Sequence, residues 1–145
     1  FEEIQGAIDA FLKNMKPFPQ PNYLFSDIVG TGGDKNNTIN ISTASAFVAS
    51  ACGLKIIKHC NKGVSSKSGS SDILTKFNIN LDASTKKLQE CLNTLNICFL
   101  FAPRYHNGIQ YATKVRKTLK IQTIFNILGP FLNPACPPLI VMGVY

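Results

Sequence analysis

The chain has 145 residues, 45% hydrophobic and 16% charged, and 15 lysines and arginines against 8 acids give it a net charge of +7. This composition is typical of one ordinary globular domain and excludes disordered, fibrous and disulfide-built proteins. The positive charge favours an anionic partner, either a nucleic acid or a phosphorylated metabolite. The lysines are spread along the chain rather than clustered, which argues against nucleic acid.

Cysteine usage and the chain ends bound the setting of the protein. The five cysteines are odd in number and show no C-x-x-C spacing, so we expect free thiols in a reducing, cytoplasmic compartment. No apolar stretch reaches the roughly 18–20 residues that a membrane span needs, and we expect no membrane partner. The chain starts without Met and stops within an apolar run, so we expect a piece of a longer protein.

Strands alternate with helices along the chain. Apolar spacing and turn residues predict, in order, a helix over 1–14, a proline-rich linker over 16–21, a strand over 23–29, a helix over 42–51, a strand over 54–58, helices over 71–77 and 84–96, a strand over 97–102, a helix over 109–119 and a strand over 139–145. This alternation predicts an α/β fold, a mainly parallel sheet flanked by helices. We assign 1–20 to the end of a small helical domain with its linker, and 21–145 to the α/β domain.

Three polar loops are predicted to meet at one edge of that sheet. They follow the first three strands, over 30–43, 58–70 and 103–108. Ligands of open α/β sheets bind at the carboxyl ends of the strands. We therefore expect these sequence-distant loops to form one cleft.

The first loop is rich in glycine. Gly30, Gly32 and Gly33 fall within four residues, followed by Asp34 and then by hydroxyl and amide side chains. Glycine lets backbone amides approach a ligand closely, and a helix N-terminus adds further N–H donors for an anion. An ordinary tight turn is the alternative, and the loop is neither a P-loop nor G-x-G-x-x-G. The hydroxyl-rich continuation favours a phosphate site with oxygen ligands for Mg²⁺.

The later loops carry cations, histidines and serines. The segment 58–62 is predicted to follow the second strand directly, and its alternative is a solvated basic turn. A serine-rich run after it strengthens the case for a binding loop. Cys60 lacks the base that a thiolate nucleophile needs. After the third strand, Arg116 is equally suited to bind a carboxylate with both nitrogens or to form a surface ion pair.

With these motifs in order, the chain closely resembles the anthranilate phosphoribosyltransferase family over essentially its whole length. The matching segments are 30–34, 37–46, 58–62, 64–70, 101–103 with His106, 115–116, 125–130 and 133–134. The resemblance implies a nucleoside phosphorylase/phosphoribosyltransferase-like fold. It also implies transfer of the phosphoribosyl group of phosphoribosyl pyrophosphate (PRPP) to the amine of anthranilate, within tryptophan biosynthesis. Mg²⁺ would be the cofactor, and the full-length protein would be a homodimer.

The resemblance assigns roles residue by residue. It implies PRPP contacts from Gly30, Gly33, Asp34, Thr38, Asn40, Ile41, Ser42, Thr43, Lys58, His59, Cys60, Asn61, Lys62, Gly63, Val64, Ser65, Ser66 and Ser70. It implies anthranilate contacts from Gly30, His59, Asn61, His106 and Arg116. Ser42 would also bind Mg²⁺. No side chain is assigned as an acid, base or nucleophile.

Two alternatives share this fold. One is a nucleic-acid-binding relative without transferase activity, which the net charge suggests, and the other is a pyrimidine nucleoside phosphorylase. Asn61 together with Arg116 favours the anthranilate enzyme over both.

The sequence also departs from the family pattern. Cys60 stands for a glycine, Lys62 for an arginine, Gly63 for a serine and Asn107 for a proline. We expect the bulk of Cys60 to disturb a point of close approach. The family's acidic Asp-Glu pair for Mg²⁺ would lie beyond Tyr145, so we expect the chain by itself to be inactive or nearly so.

Overall fold

The computed structural model describes residues 1–31, 39–63, 69–119 and 123–144, apart from the side chains at 113, 114, 116, 117 and 119. Its strands form one parallel sheet in the order β3-β2-β1-β4. The strands are β1 (Ser26–Gly30), β2 (Ile56–Cys60), β3 (Ile97–Phe101) and β4 (Leu139–Gly143). The predicted parallel α/β fold is confirmed. The interior strands are β1 and β2, and both lead into predicted binding loops.

Helices connect the strands. In the described residues they are α1 (Glu2–Asn14), α2 (Ile41–Ala51), α3 (Ser70–Lys76), α4 (Thr85–Leu95), α5 (Ala102–Tyr105), α6 (Ile109–Leu119) and α7 (Phe125–Leu128), followed by a 3-10 turn over Gly129–Phe131. Side chains that accept backbone N–H groups begin two of them. Asn40 accepts from the amide of Thr43 at 3.0 Å, and Ser84 accepts from that of Lys87 at 3.3 Å. No described helix is long and apolar enough to cross a bilayer.

The register aligns the carboxyl ends of the strands at one edge. Five residue pairs join β1 to β4, from Ser26 opposite Leu139 to Gly30 opposite Gly143. The strands β2 and β3 pair in the same way, and Cys60 lies opposite Phe101 at the end. Side chains of a sheet buried on both faces are apolar on both. Accordingly, Ile57 packs in a first core cluster with Phe25 and Leu100, whereas Ile56 packs in a second core cluster with Leu74 and Phe99.

Three predicted segments near the candidate site or its supporting core differ from the structure. The second strand ends at Cys60 instead of at 58, so the prediction that 58–62 follows the strand is wrong for its first three residues. All five residues of β2 are buried, Lys58 included, because its ammonium reaches a backbone carbonyl of the neighbouring strand. The predicted loop over 103–108 begins inside the short helix α5. In the predicted linker, Phe18 is buried in the first core cluster and its amide donates to the carbonyl of Pro134 at 3.1 Å.

Candidate functional site

Residues of the first two binding loops meet at the edge where β1 ends. Gly30 is exposed there. The N-cap residue Asn40 donates its side-chain amide to Ser70 Oγ at 3.4 Å, and Ser42 Oγ donates to Asn40 Oδ1 at 3.2 Å. Ser42 lies in the first turn of α2, where free N–H groups favour an anion. The predicted convergence of these two loops is therefore present in the structure.

Lys58 brings a positive charge to the same place. Its side chain is 1% exposed, and its ammonium donates to the carbonyl of Ile28 and, at 3.3 Å, to Ser42 Oγ. Burial lowers the pKa of Lys58, and the charge of Asp27 opposes that shift. The result is a buried cation under the start of α2, next to the first loop.

A buried acid, Asp27, supports this arrangement and was not among the predicted site residues. Its side chain is fully buried, and its Oδ2 accepts from Asn133 Nδ2 at 2.8 Å. Burial raises the pKa of Asp27, and the charge of Lys58 together with the Asn133 hydrogen bond opposes that rise. An acid at the centre of the apolar run before the glycines was the signal in the sequence that could have revealed it.

The two histidines form a buried pair. The ring centroids of His59 and His106 are 5.3 Å apart in an edge-on arrangement. His106 Nε2 lies 2.7 Å from the carbonyl of Leu132. A carbonyl only accepts, so this nitrogen carries the proton. Burial, assisted by His106, lowers the pKa of His59 to about 3, and burial also lowers that of His106. Both rings are therefore neutral at pH 7.

A cavity of about 370 Å³ opens beside His106. The uncharged residues Ala10, Phe11, Asn14 and Gly108 complete its lining. The ring of Phe11 packs edge-on against His106, with centroids 6.3 Å apart. Helix α1 thus forms one wall of this cavity.

The second loop is held at both of its described ends. Asp72 Oδ2 accepts from the amides of Gly63 at 3.0 Å and Gly69 at 2.8 Å. A Cβ on Gly69 would lie 2.0 Å from the Gly63 nitrogen and 2.8 Å from the carbonyl oxygen of Asn61. The backbone approach is therefore one that only glycine permits.

The remaining predicted residues fall into three groups. Asn61, Lys62, Gly63 and Ile41 are exposed near this edge, whereas Thr43 is buried with a hydroxyl that has no hydrogen-bond partner among the described residues. The side chain of Cys60 packs in the second core cluster, so its bulk enters the core, and burial raises its pKa to about 12. Outside the described residues lie Gly33, Asp34, Thr38, Val64, Ser65, Ser66 and the side chain of Arg116.

Comparison with known proteins decides the family. A family model described as "Glycosyl transferase family, a/b domain" matches residues 22–145. The chain belongs to this glycosyl transferase family.

Similar proteins include anthranilate phosphoribosyltransferases. This chain is 72% identical over 144 residues to an anthranilate phosphoribosyltransferase of Buchnera aphidicola from Acyrthosiphon pisum, which confirms the predicted resemblance. The match covers 99% of this chain and 42% of that protein. This chain thus spans less than half the length of such relatives.

Solved structures of anthranilate phosphoribosyltransferases are also similar to this chain. The Thermus thermophilus anthranilate phosphoribosyltransferase superposes with a TM-score of 0.89 at 37% identity, over 99% of this chain and 44% of that one. The Saccharomyces cerevisiae enzyme in complex with PRPP and Mg gives 0.86 at 37% identity, over 99% and 40%. The yeast enzyme with 4-fluoroanthranilate gives 0.77 at 35%, over 99% and 38%. This chain has the same fold as the part of these structures that it matches.

Proposed function

We propose that the full-length protein transfers the phosphoribosyl group of PRPP to the amine of anthranilate. The products are N-(5-phosphoribosyl)anthranilate and pyrophosphate, and the step belongs to tryptophan biosynthesis. The observation that carries the proposal is the buried Lys58 ammonium held against Ser42 at the start of α2. A cation and helix amides at one point suit a pyrophosphate, and the family relatives take their name from this reaction.

The phosphate side of the proposed site, which is formed by Lys58 and the start of α2, stabilises the leaving group. Departure of pyrophosphate builds negative charge on its oxygens and positive charge on the ribose. Lys58 and the amides at the start of α2 are held in place before the reaction, so they stabilise that charge without reorganising. The further proposed PRPP contacts on this side are Gly30, Gly33, Asp34, Thr38, residues 40–43, residues 58–66 and Ser70.

The acceptor side of the proposed site, which lies around His106 and its cavity, orients the anthranilate amine, a nucleophile that needs no activation. The amine of anthranilate carries its own lone pair, so positioning supplies much of the rate. The neutral ring of His106 and the adjoining cavity provide a wall for the aromatic ring, and His59 packs against His106. Gly30, Asn61 and Arg116 are the further proposed contacts, and the guanidinium of Arg116 would pair with the carboxylate of the substrate.

The described residues make only part of a Mg²⁺ site. Ser42 Oγ offers one oxygen ligand, but no group of three or more His, Cys, Asp or Glu side chains in the described ranges could hold a metal ion. Lys58 Nζ lies 3.3 Å from the same hydroxyl, which disfavours a bare cation there. Mg²⁺ commonly binds through carboxylates and substrate phosphates. We propose Ser42 as one ligand beside those of the PRPP pyrophosphate and assign no step to the metal.

Anthranilate fluorescence tests the activity directly. Adding PRPP and Mg²⁺ to the full-length protein in the presence of anthranilate should lower the anthranilate fluorescence as this substrate is consumed. A protein that leaves it unchanged and binds DNA in a salt-sensitive way is instead the nucleic-acid-binding relative. Phosphorolysis of a pyrimidine nucleoside would identify a nucleoside phosphorylase.

Arginine substitutions test the acceptor side. We expect Arg116→Ala to raise the KM for anthranilate by about tenfold or more and that for PRPP by less than about threefold, because only one substrate loses a charge-assisted contact. Arg104→Ala is the matched control, since Arg104 contacts the Ala83 carbonyl and pairs with the exposed Asp82. Equal effects of Arg116→Ala on both KM values would refute the role.

Assembly and location complete the proposal. We propose a homodimer at full length, as the family resemblance implies, and size-exclusion chromatography with light scattering tests it. A cytoplasmic location is supported by the five cysteines, all of which are free thiols in the structure.

A further inference from the structure

Asp27 is a buried acid that the proposed chemistry does not use. It lies in the interior strand β1, is 0% exposed, and forms neither of the two ion pairs found among the described residues. Its Oδ2 accepts from Asn133 Nδ2 at 2.8 Å and, more weakly, from the amide of His59 at 3.4 Å. A carboxylate is costly to bury, so this position calls for a reason beyond packing.

The hydrogen bonds lead from Asp27 to the acceptor side. The amide nitrogen of Asn133 also donates to the carbonyl of Ile57 at 2.8 Å, so one side chain bridges β1 and β2. The preceding residue, Leu132, contacts His106 Nε2 through its carbonyl at 2.7 Å. Any movement of Asn133 therefore shifts the group that orients His106.

The same acid is next to the phosphate side. Ile28, which directly follows Asp27 in β1, accepts from the Lys58 ammonium. The His59 amide, which directly follows Lys58, donates to Asp27. The two strands are thus linked through the lysine side chain and through the backbone amide that follows it.

We infer that Asp27 is a positioning residue that holds the phosphate side and the acceptor side of the site in one frame through its hydrogen bond to Asn133. The inference rests on the proposed transferase function. A displacement reaction needs its two reacting atoms at a set distance, and small misplacements of a bound substrate cost large factors in rate. Each substrate keeps its own contacts when the frame loosens, so the frame acts on kcat.

Kinetics of the full-length protein separate this role from simple stability. Asp27→Ala should lower kcat by about tenfold or more while each KM stays within about threefold. Asp27→Asn should recover most of kcat because its side-chain carbonyl still accepts from Asn133. Bound pyrophosphate then supplies the negative charge that Lys58 has lost. Asp82→Asn, the same change at an exposed acid, should leave kcat within about twofold.

The contrary results are equally specific. A kcat of Asp27→Ala within about twofold of the wild type, or an Asp27→Asn variant as slow as Asp27→Ala, overturns the inference. If Asp27→Ala does not fold, Asn133→Ser takes its place, because it removes the bond and keeps the acid. A kcat near the wild-type value in that variant overturns the inference as well.

Imidazole nitrogen NMR gives a readout without turnover. The Nε2 resonance of His106 should move in Asp27→Ala and return in Asp27→Asn. A moving resonance in a protein that never consumes anthranilate refutes the proposed function alone. Turnover with a resonance that stays unchanged in Asp27→Ala refutes the inference alone.

Discussion

Replacing Lys58 by Met tests how strongly the buried charges depend on one another. Lys58 is 1% exposed and Asp27 is 0% exposed, so the change leaves a buried carboxylate without its counter-charge, while Met keeps most of the side-chain volume. Removing one partner of a buried pair costs about 3–5 kcal/mol. Because no direct ion pair joins these two groups, we expect the lower end, a loss of about 3 kcal/mol in the free energy of unfolding at pH 7. Urea denaturation of the full-length protein measures it.

A second substitution isolates the charge. Adding Asp27→Asn to Lys58→Met removes the orphaned carboxylate, and the double variant should return to within about 1 kcal/mol of the wild type. Lys62→Met, at an exposed lysine of the same segment, is the control and should change stability by less than about 0.5 kcal/mol. A Lys58→Met loss below about 1 kcal/mol, or additive effects of the two substitutions, would refute the coupling.

Three further outcomes follow from single positions. Gly69→Ala should lower the free energy of unfolding by about 1–3 kcal/mol because its Cβ would meet the Gly63 backbone. Gly6→Ala, which has open space in an exposed helix, is the control and should raise that free energy by about 0.5–1 kcal/mol. Thermal melts measure both. Ser84→Ala should cost about 1 kcal/mol by removing the cap of α4, and Ser84→Asp should retain it; equal losses would contradict the cap. Since burial lowers the pKa of His59 from 6.5 to about 3, only the unfolded state takes up a proton as the pH falls through that window. Below about pH 6, His59 should therefore cost roughly 1.4 kcal/mol of stability per pH unit. In urea titrations at pH 4–7, His59→Gln should flatten the profile by that amount and leave the smaller contribution of His106.

The fold was predictable because its strands and helices differ strongly in apolar spacing. The run from Ile97 to Phe101 is continuously apolar, and its strand appears at nearly the predicted residues. The end of β2 was not predictable by that rule, because the strand was predicted to stop at the polar Lys58 and the polar His59 after it is a residue type that pattern analysis assigns to loops. Groups distant in sequence make burial of the lysine tolerable, through the carbonyl of Ile28 and the hydroxyl of Ser42.

The site was predictable where its residues are close in sequence and not where they are distant. The hydroxyl and amide groups from Asn40 to Thr43 follow the glycine loop directly, so their type and place already indicated a ligand. The bond between Asp27 and Asn133 joins residues 106 positions apart. No local pattern encodes such a pairing, since it depends on how the sheet brings β1 against the segment after the 3-10 turn.

The position of β1 and β2 inside the sheet has a consequence for hydrogen exchange. Amides of interior strands typically exchange only when the whole domain opens, whereas edges and loops open locally. The two loops proposed to hold PRPP leave from these two strands. A ligand bound there stabilises the folded state as a whole. Exchange should therefore slow throughout the interior strands β1 and β2 on PRPP binding, and the protection should extend beyond the residues that touch the ligand.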